Sequence, residues 1–212
     1  SEKISCAAIV FVHFNILADL YCDGLKYFYT EPEFLHWEYR KRLVANMLVT
    51  ADSDLINLQE VEPMAFTYLR TKLTPDVFGA YHLINKQGEG CCTFWKKSRF
   101  EKISIVPVEF AKESQRLLKL FQQQFPDHPD DYCAFSLLLP LRHHNIATII
   151  HLKDKMTGLP IIVLNTHLFW GSYSLEKHYQ IQTIQMILLV EKLLEYVYQS
   201  SHQLFSSSSS SS

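Results

Sequence analysis

Leu55-Ile56-Asn57-Leu58-Gln59-Glu60-Val61-Glu62-Pro63 reads as a short apolar strand, Leu55 to Leu58, that ends at the polar pair Gln59-Glu60 and gives way to a helix starting near Pro63. Proline suits a first helical turn because the N–H it lacks would be unpaired there anyway. A carboxylate at the end of a buried strand sits where rigid scaffold meets open solvent, the usual place for ligating and catalytic groups in a sheet-based enzyme.

The pattern recurs on both sides of this stretch. Upstream, Ile4 to Leu17 is rich in Ile, Val and Phe, which predicts a strand running into a loop at Asn15. From Pro32 to Thr50, Trp37, Tyr39, Leu43, Val44, Met47 and Leu48 recur at helical spacing, with Glu38, Arg40, Lys41 and Arg42 available for a wet face. Downstream, Tyr81 to Ile84, Cys91 to Trp95 and Ile103 to Phe110 read as strands, separated by turn signals at Gln87-Gly88 and Lys97-Ser98. Gly88-Glu89-Gly90 reads as a tight hairpin turn. The polar stretch Ala111 to Asp131 is expected to be a helical or irregular insertion. Ile146 to Leu152 and Pro160 to Leu164 read as a strand pair, and Leu175 to Tyr198 as a long amphipathic helix. Strands alternating with helices, with several consecutive strands in the middle, predict a layered α/β or α+β domain over residues 1–205. The serine tract 206–212 cannot bury apolar area against its ordering entropy and is expected to be disordered.

Composition narrows the function classes. The chain has 212 residues, 48% hydrophobic and 20% charged, with a formal net charge of −2. That predicts one soluble domain, and it offers no overall field to draw in a polyanion, so any nucleic-acid contact must come from a locally lined cleft. Five scattered cysteines without a Cys-x-x-Cys pair argue against a disulfide framework or a zinc site, and fit a reducing compartment. No run reaches the roughly 20 apolar residues of a membrane span. Cytoplasm is the default expectation, with nucleus and mitochondrion open. His143-His144 is a weak metal candidate, since neighbouring residues on a strand face opposite sides.

Three polar spots at strand ends remain: Asn15, Glu60, and Asn165 with His167. Carboxylate and amide oxygens are hard donors that suit Mg²⁺, and an imidazole beside them could stabilise charge on a phosphate oxygen. Taken singly, each has an ordinary alternative. A strand-end Glu is commonly solvated or capping, a His flanked by Leu168 and Phe169 is commonly structural, and spacing alone leaves the function open.

The order of five blocks resembles the endonuclease/exonuclease/phosphatase superfamily. They are Phe14-Asn15-Ile16-Leu17, Trp37-Glu38-Tyr39-Arg40, Leu58-Gln59-Glu60-Val61-Glu62, Gly90-Cys91-Cys92-Thr93-Phe94-Trp95-Lys96 and Asn165-Thr166-His167-Leu168-Phe169-Trp170. Their wording is similar to the branch of carbon-catabolite-repressor deadenylases, nocturnin and Angel. The resemblance implies a four-layer α/β sandwich and Mg²⁺-dependent hydrolysis of phosphodiester bonds, with poly(A)-like single-stranded RNA degraded from its 3′ end. It implies that Glu60 is the metal carboxylate, that Asn15 and His167 complete the catalytic group, and that Asn145, Asn165 and Trp170 contact substrate.

Two departures qualify it. Gly171-Ser172 stands where that branch carries an acidic residue or histidine followed by a base-packing proline, so adenine preference is not implied. The branch's later Gly-Asp-Phe-Asn block and Asp-His pair have no counterpart in these 212 residues. The chain is therefore expected to be the amino-terminal part of the domain and inactive by itself, with apolar sheet edges exposed and the domain poorly stable. Two alternatives are a non-catalytic remnant that binds RNA or protein, and a superfamily phosphatase with a non-RNA substrate.

Overall fold

A computed structural model of the chain describes residues 8–127, 143–171 and 174–208. The chain divides into two compact units, residues 1–107 with 146–167, and residues 108–145 with 168–212.

The first unit is built on β2 (Leu55–Gln59), buried at every position. It lies between β1 (Phe11–Asn15), to which it is parallel, and β4 (Gly90–Lys96), to which it is antiparallel, and β3 (Phe78–Ile84) closes the sheet in the order β1-β2-β4-β3. The alternation of β2 explains what lies on each face. Ile56 and Leu58 share a core with Val44, Ala45 and Leu48 of α2 (Trp37–Thr50) and with Ala65 and Leu69 of α3 (Pro63–Lys72). Leu55 instead packs with Trp95, Ile150, Leu152 and Val163. Those last three come from a second sheet of order β5-β6-β7, formed by β5 (Phe100–Glu109), β6 (Ile146–Asp154) and β7 (Pro160–Thr166). Within this unit, helices therefore cover one face of the first sheet and the second sheet covers the other.

Between the sheets lies a layer of polar side chains, most of them paired, although the Thr148 hydroxyl has no partner among the described residues. Asn57 Nδ2 donates to Leu164 O at 2.8 Å and Gln59 Nε2 to Asn165 Oδ1 at 2.7 Å, while Thr93 Oγ1 donates to Asn57 Oδ1 at 2.8 Å. Most buried polar groups are paired in this way, and pairing fixes the register of one sheet on the other. On the far side of the first sheet, β1 is an edge strand that pairs, among the described residues, with β2 alone. Its apolar side chains are poorly covered, Phe11 being 49% and Phe14 38% exposed. An exposed apolar edge is a feature that proteins normally blunt or cover.

Several elements differ from the sequence reading in detail. The expected helix from Pro32 is broken at His36, whose ψ of 137° is extended, into α1 (Pro32–Leu35) and α2. Gly88, at φ +96°, makes the expected turn, and at Gly90 a Cβ would fall 1.8 Å from Leu83 O, so only glycine lets β3 and β4 approach there.

The second unit is helical. The polar stretch after Glu109 forms α4 (Phe110–Gln124), and α5 (Leu175–Ser208) runs ten residues past the expected end at Tyr198, taking in three serines of the tract expected to be disordered. Local helical hydrogen bonds carry a terminal turn without any apolar burial, which composition alone does not reveal. Ser209–Ser212 lie outside the described residues. Arg116 ties α4 to α5, donating from Nη2 to both oxygens of Glu191 at 2.9 and 2.7 Å, and Lys192 reaches Glu113 at 3.2 Å. Among the described residues, no helix is long and apolar enough to cross a membrane.

Candidate active site

Glu60 follows directly on β2, and its backbone takes φ 57°. A non-glycine residue in this region carries strain of order 1–3 kcal/mol, and such strain persists where the surroundings fix it. Here they do. Glu60 Oε1 accepts from Asn15 Nδ2 at 2.7 Å and Oε2 from the Ala18 N–H at 3.0 Å, so both oxygens are aimed. Asn15 is oriented in turn by its Oδ1, which accepts from Leu17 N–H at 2.9 Å in a local turn. The imidazole of His167, just beyond β7, lies with Nε2 3.7 Å from Glu60 Oε1. The three residues expected to be catalytic are thus brought together, although 45 and 107 positions separate Glu60 from Asn15 and from His167 in the chain.

Burial pushes the His167 pKa down, and the Glu60 carboxylate opposes that only in part. The ring is therefore neutral near pH 7, able to donate from one nitrogen and accept at the other. Glu60 is only 8% exposed. A carboxylate has about four lone-pair directions, and two are taken by Asn15 and Ala18, which leaves room for a cation. Mg²⁺ is held through one or two carboxylates and keeps several waters, so this group fits one corner of an Mg²⁺ site. Among the described residues, no cluster of three or more His, Cys, Asp and Glu side chains is placed to hold an ion.

The loop that brings Ala18 to Glu60 is fastened by Arg40. Its Nη1 donates to Ile16 O at 2.8 Å and Leu17 O at 2.7 Å, its Nε to Leu35 O at 2.8 Å, and its Nη2 to Asp19 Oδ1 at 3.0 Å. The sequence reading favoured a solvated face for Arg40. The structure corrects this, because a planar five-donor fork can gather carbonyls from three directions and the sequence does not show that those carbonyls converge. Arg40→Lys keeps the charge but only one donor centre, and is expected to cost about 2 kcal/mol, read as a lowered denaturant midpoint at unchanged m.

Sequence reasoning also passed over Glu89. This carboxylate is 4% exposed, accepts from Asn85 Nδ2 and lies 3.5 Å from the Tyr21 hydroxyl. Burial raises its pKa, with Glu60 and Glu62 adding to the rise. A folded-state pKa above the unfolded value stabilises the fold at low pH, and that contribution is lost as pH rises through the folded value. Glu89→Gln is therefore expected to raise Tm at pH near 8 and to leave it unchanged at pH near 4, as checked by a series of thermal melts across pH.

Asn165 was expected at the substrate. It is 1% exposed, and its Nδ2 lies 3.1 Å from Leu58 O and 2.9 Å from Cys92 O while its Oδ1 accepts from Gln59. That amide is spent on holding β7 to β2 and β4, which sets where His167 emerges two residues later. Asn145 and Trp170 belong to the second unit. There, Asn145 Oδ1 accepts from Gln185 Nε2 at 3.0 Å, and Gln185 Oε1 accepts from Phe169 N at 2.8 Å. Trp170 is 81% exposed and stands edge-on to His178, with ring centroids 4.9 Å apart.

No family model matches the chain. It is similar to the CCR4-Not complex 3′-5′-exoribonuclease subunit Ccr4 of Phaeosphaeria nodorum, 26% identical over 195 residues, which covers 86% of this chain and 30% of that protein. The Aspergillus fumigatus Ccr4 subunit is 28% identical over 197 residues, with 87% and 26% covered. The chain thus spans less than a third of the length of these relatives. Among solved structures, it is similar to ANGEL2, a 2′,3′-cyclic phosphatase, with a TM-score of 0.64 at 21% identity over 84% of this chain and 45% of that one. The human Nocturnin catalytic domain with bound sulfate gives a TM-score of 0.61 at 16% identity over 88% and 59%. These likenesses bear out the α/β sandwich expected from the five sequence blocks. The chain has the endonuclease/exonuclease/phosphatase fold and is similar in sequence to the Ccr4 exoribonuclease subunits.

Proposed function

We propose that this chain carries one part of the active site of an Mg²⁺-dependent phosphodiesterase that removes nucleotides from the 3′ end of single-stranded RNA. The observation that supports it most is the Glu60 carboxylate, aimed by Asn15 and the Ala18 N–H and faced at 3.7 Å by the His167 ring. The relatives named as 3′-5′ exoribonucleases point the same way in substrate.

Glu60 would hold the ion, oriented by Asn15 on one oxygen and by the backbone on the other. Bound there, Mg²⁺ would polarise a phosphoryl oxygen and lower the pKa of a water. His167, neutral and half-buried, would donate a hydrogen bond to a non-bridging phosphate oxygen as charge builds on it, which is worth most where the donor is fixed in advance. The backbone strain at Glu60 and the tie from Asn165 both serve that fixing.

One carboxylate is a weak Mg²⁺ site. We therefore expect the 212-residue chain alone to hydrolyse RNA slowly. The test is a time course on a 5′-labelled oligoadenylate with Mg²⁺ or with EDTA, beside DNA and 2′,3′-cyclic-phosphate ends. Brisk hydrolysis that requires Glu60 would overturn the expectation of weak activity. Preference for DNA or for the cyclic phosphate would overturn the RNA exonuclease assignment, and tight RNA binding with no hydrolysis in any native form would favour a non-catalytic binding role.

A further inference from the structure

On the helical face of the first unit, α2 and α3 enclose a groove of about 530 Å³. Its walls are Trp37 and Lys41, one turn apart on α2, and Pro63, Met64 and Tyr68 on α3. The Trp37 and Tyr68 rings meet edge to face with centroids 6.4 Å apart. Met64 is 73% exposed, so much of this apolar lining faces solvent. Two ammonium groups lie near the Tyr68 ring, Lys41 Nζ of the groove wall 5.3 Å and Lys72 Nζ, just outside the groove's lining, 5.5 Å from its centroid. Carboxylates are present too: Asp19 is paired with Arg40, and Glu38 is paired with Lys41, so a phosphate held by Lys41 would take the place of Glu38.

The groove runs into a second hollow of about 510 Å³ that shares Trp37, Glu38, Pro63 and Met64 with the first and reaches Asp19 and Glu62. Those two residues sit beside the candidate site, since Glu62 Oε2 accepts from the Asp19 N–H at 2.7 Å while the neighbouring Ala18 N–H is bound to Glu60. The groove is therefore continuous with the loop that carries the metal carboxylate. An enzyme that trims a strand from its 3′ end holds the last nucleotides in the site, and the rest of the strand must leave across the surface.

We propose that the α2–α3 groove is a second contact for that departing strand, with a base laid against Met64 and Pro63 and a backbone phosphate between Lys41 and Lys72. From Met64 to Lys72 the helix rises about 12 Å, long enough to lie beside more than one nucleotide of a strand. Apolar and aromatic walls bind bases without regard to sequence, and lysines supply the salt-dependent grip on phosphate. This groove would set the preference for long over short RNA. The assignment rests on the RNA reading above.

Fluorescence anisotropy of the 212-residue chain in EDTA tests it, using 5′-fluorescein oligoadenylates of about 20 and about 3 nucleotides over a salt series. The double substitution Lys41→Gln, Lys72→Gln is expected to weaken the long oligomer about tenfold at low salt, to shallow its salt slope by about 1 to 1.5, and to leave the short one unchanged. Met64→Glu should also weaken only the long oligomer, and thermal melts confirm that each variant is folded. Long-oligomer binding within about twofold of the parent in the double variant overturns the proposal, as does a parent chain that binds neither oligomer. Loss of the short oligomer in Asn15→Ala or His167→Ala reports separately on the site itself. If those variants bind normally while the lysine variant does not, the groove stands and the catalytic reading fails.

Discussion

Glu60→Ala is expected to lower kcat/KM for Mg²⁺-dependent hydrolysis of a 5′-labelled oligoadenylate by at least about 100-fold, measured in the native product that carries these residues. The carboxylate would be the oxygen donor to the ion, and the Asn15 amide and the Ala18 N–H hold it in place. Glu60→Gln should fare no better. Both carboxylate oxygens accept, from Asn15 Nδ2 and from the Ala18 N–H, so an amide at this position must turn its NH₂ towards one of two donors. Glu60→Gly separates chemistry from folding. Glycine takes φ 57° without strain, so this variant should be as inactive as the alanine variant and yet more stable than it by about 1 kcal/mol. Retention of activity in either the alanine or the glycine variant would remove Glu60 from the mechanism, and an alanine variant as stable as the glycine variant would mean that the backbone there is unstrained.

Asn165→Leu is expected to cost about 3–5 kcal/mol and to lower Tm by roughly 10 °C. The leucine fits by volume, but it leaves Leu58 O and Cys92 O without this donor and Gln59 Nε2 without its acceptor, all of them buried. Buried polar groups that lose a partner incur their full desolvation penalty, which exceeds what an isosteric apolar side chain returns. Against a typical total stability of about 5–15 kcal/mol, this is a large fraction. A variant within about 1 kcal/mol of the parent would show that the amide is not what joins the sheets, and would reopen the expectation that Asn165 contacts substrate.

Much of the architecture was legible from local pattern. The buried run at Leu55, the helix after Pro63 and the hairpin around Gly88 follow from alternation, from proline's missing N–H and from glycine's access to positive φ, and all three appear where expected. Asn15, Glu60 and His167 were marked because each is polar at the end of an apolar strand, and all three meet. The break at His36 was not legible, because apolar spacing continues through it. The role of Arg40 was missed because it depends on where the carbonyls of Ile16, Leu17 and Leu35 converge. Glu89 was read only as turn polarity because its burial comes from neighbours distant in sequence.

By itself, the sequence determined the alternation of strands and helices, the strand ends at which polar groups would stand, and the superfamily these blocks resemble. Those properties depend on residues close together in the chain. Only the tertiary structure decided that Asn165 faces the inter-sheet layer, that Arg40 fastens the loop rather than facing water, and that two lysines lie near the Tyr68 ring. Burial and hydrogen-bond partnership are set by contacts between elements, and a side chain's chemical type does not say which contacts it will find.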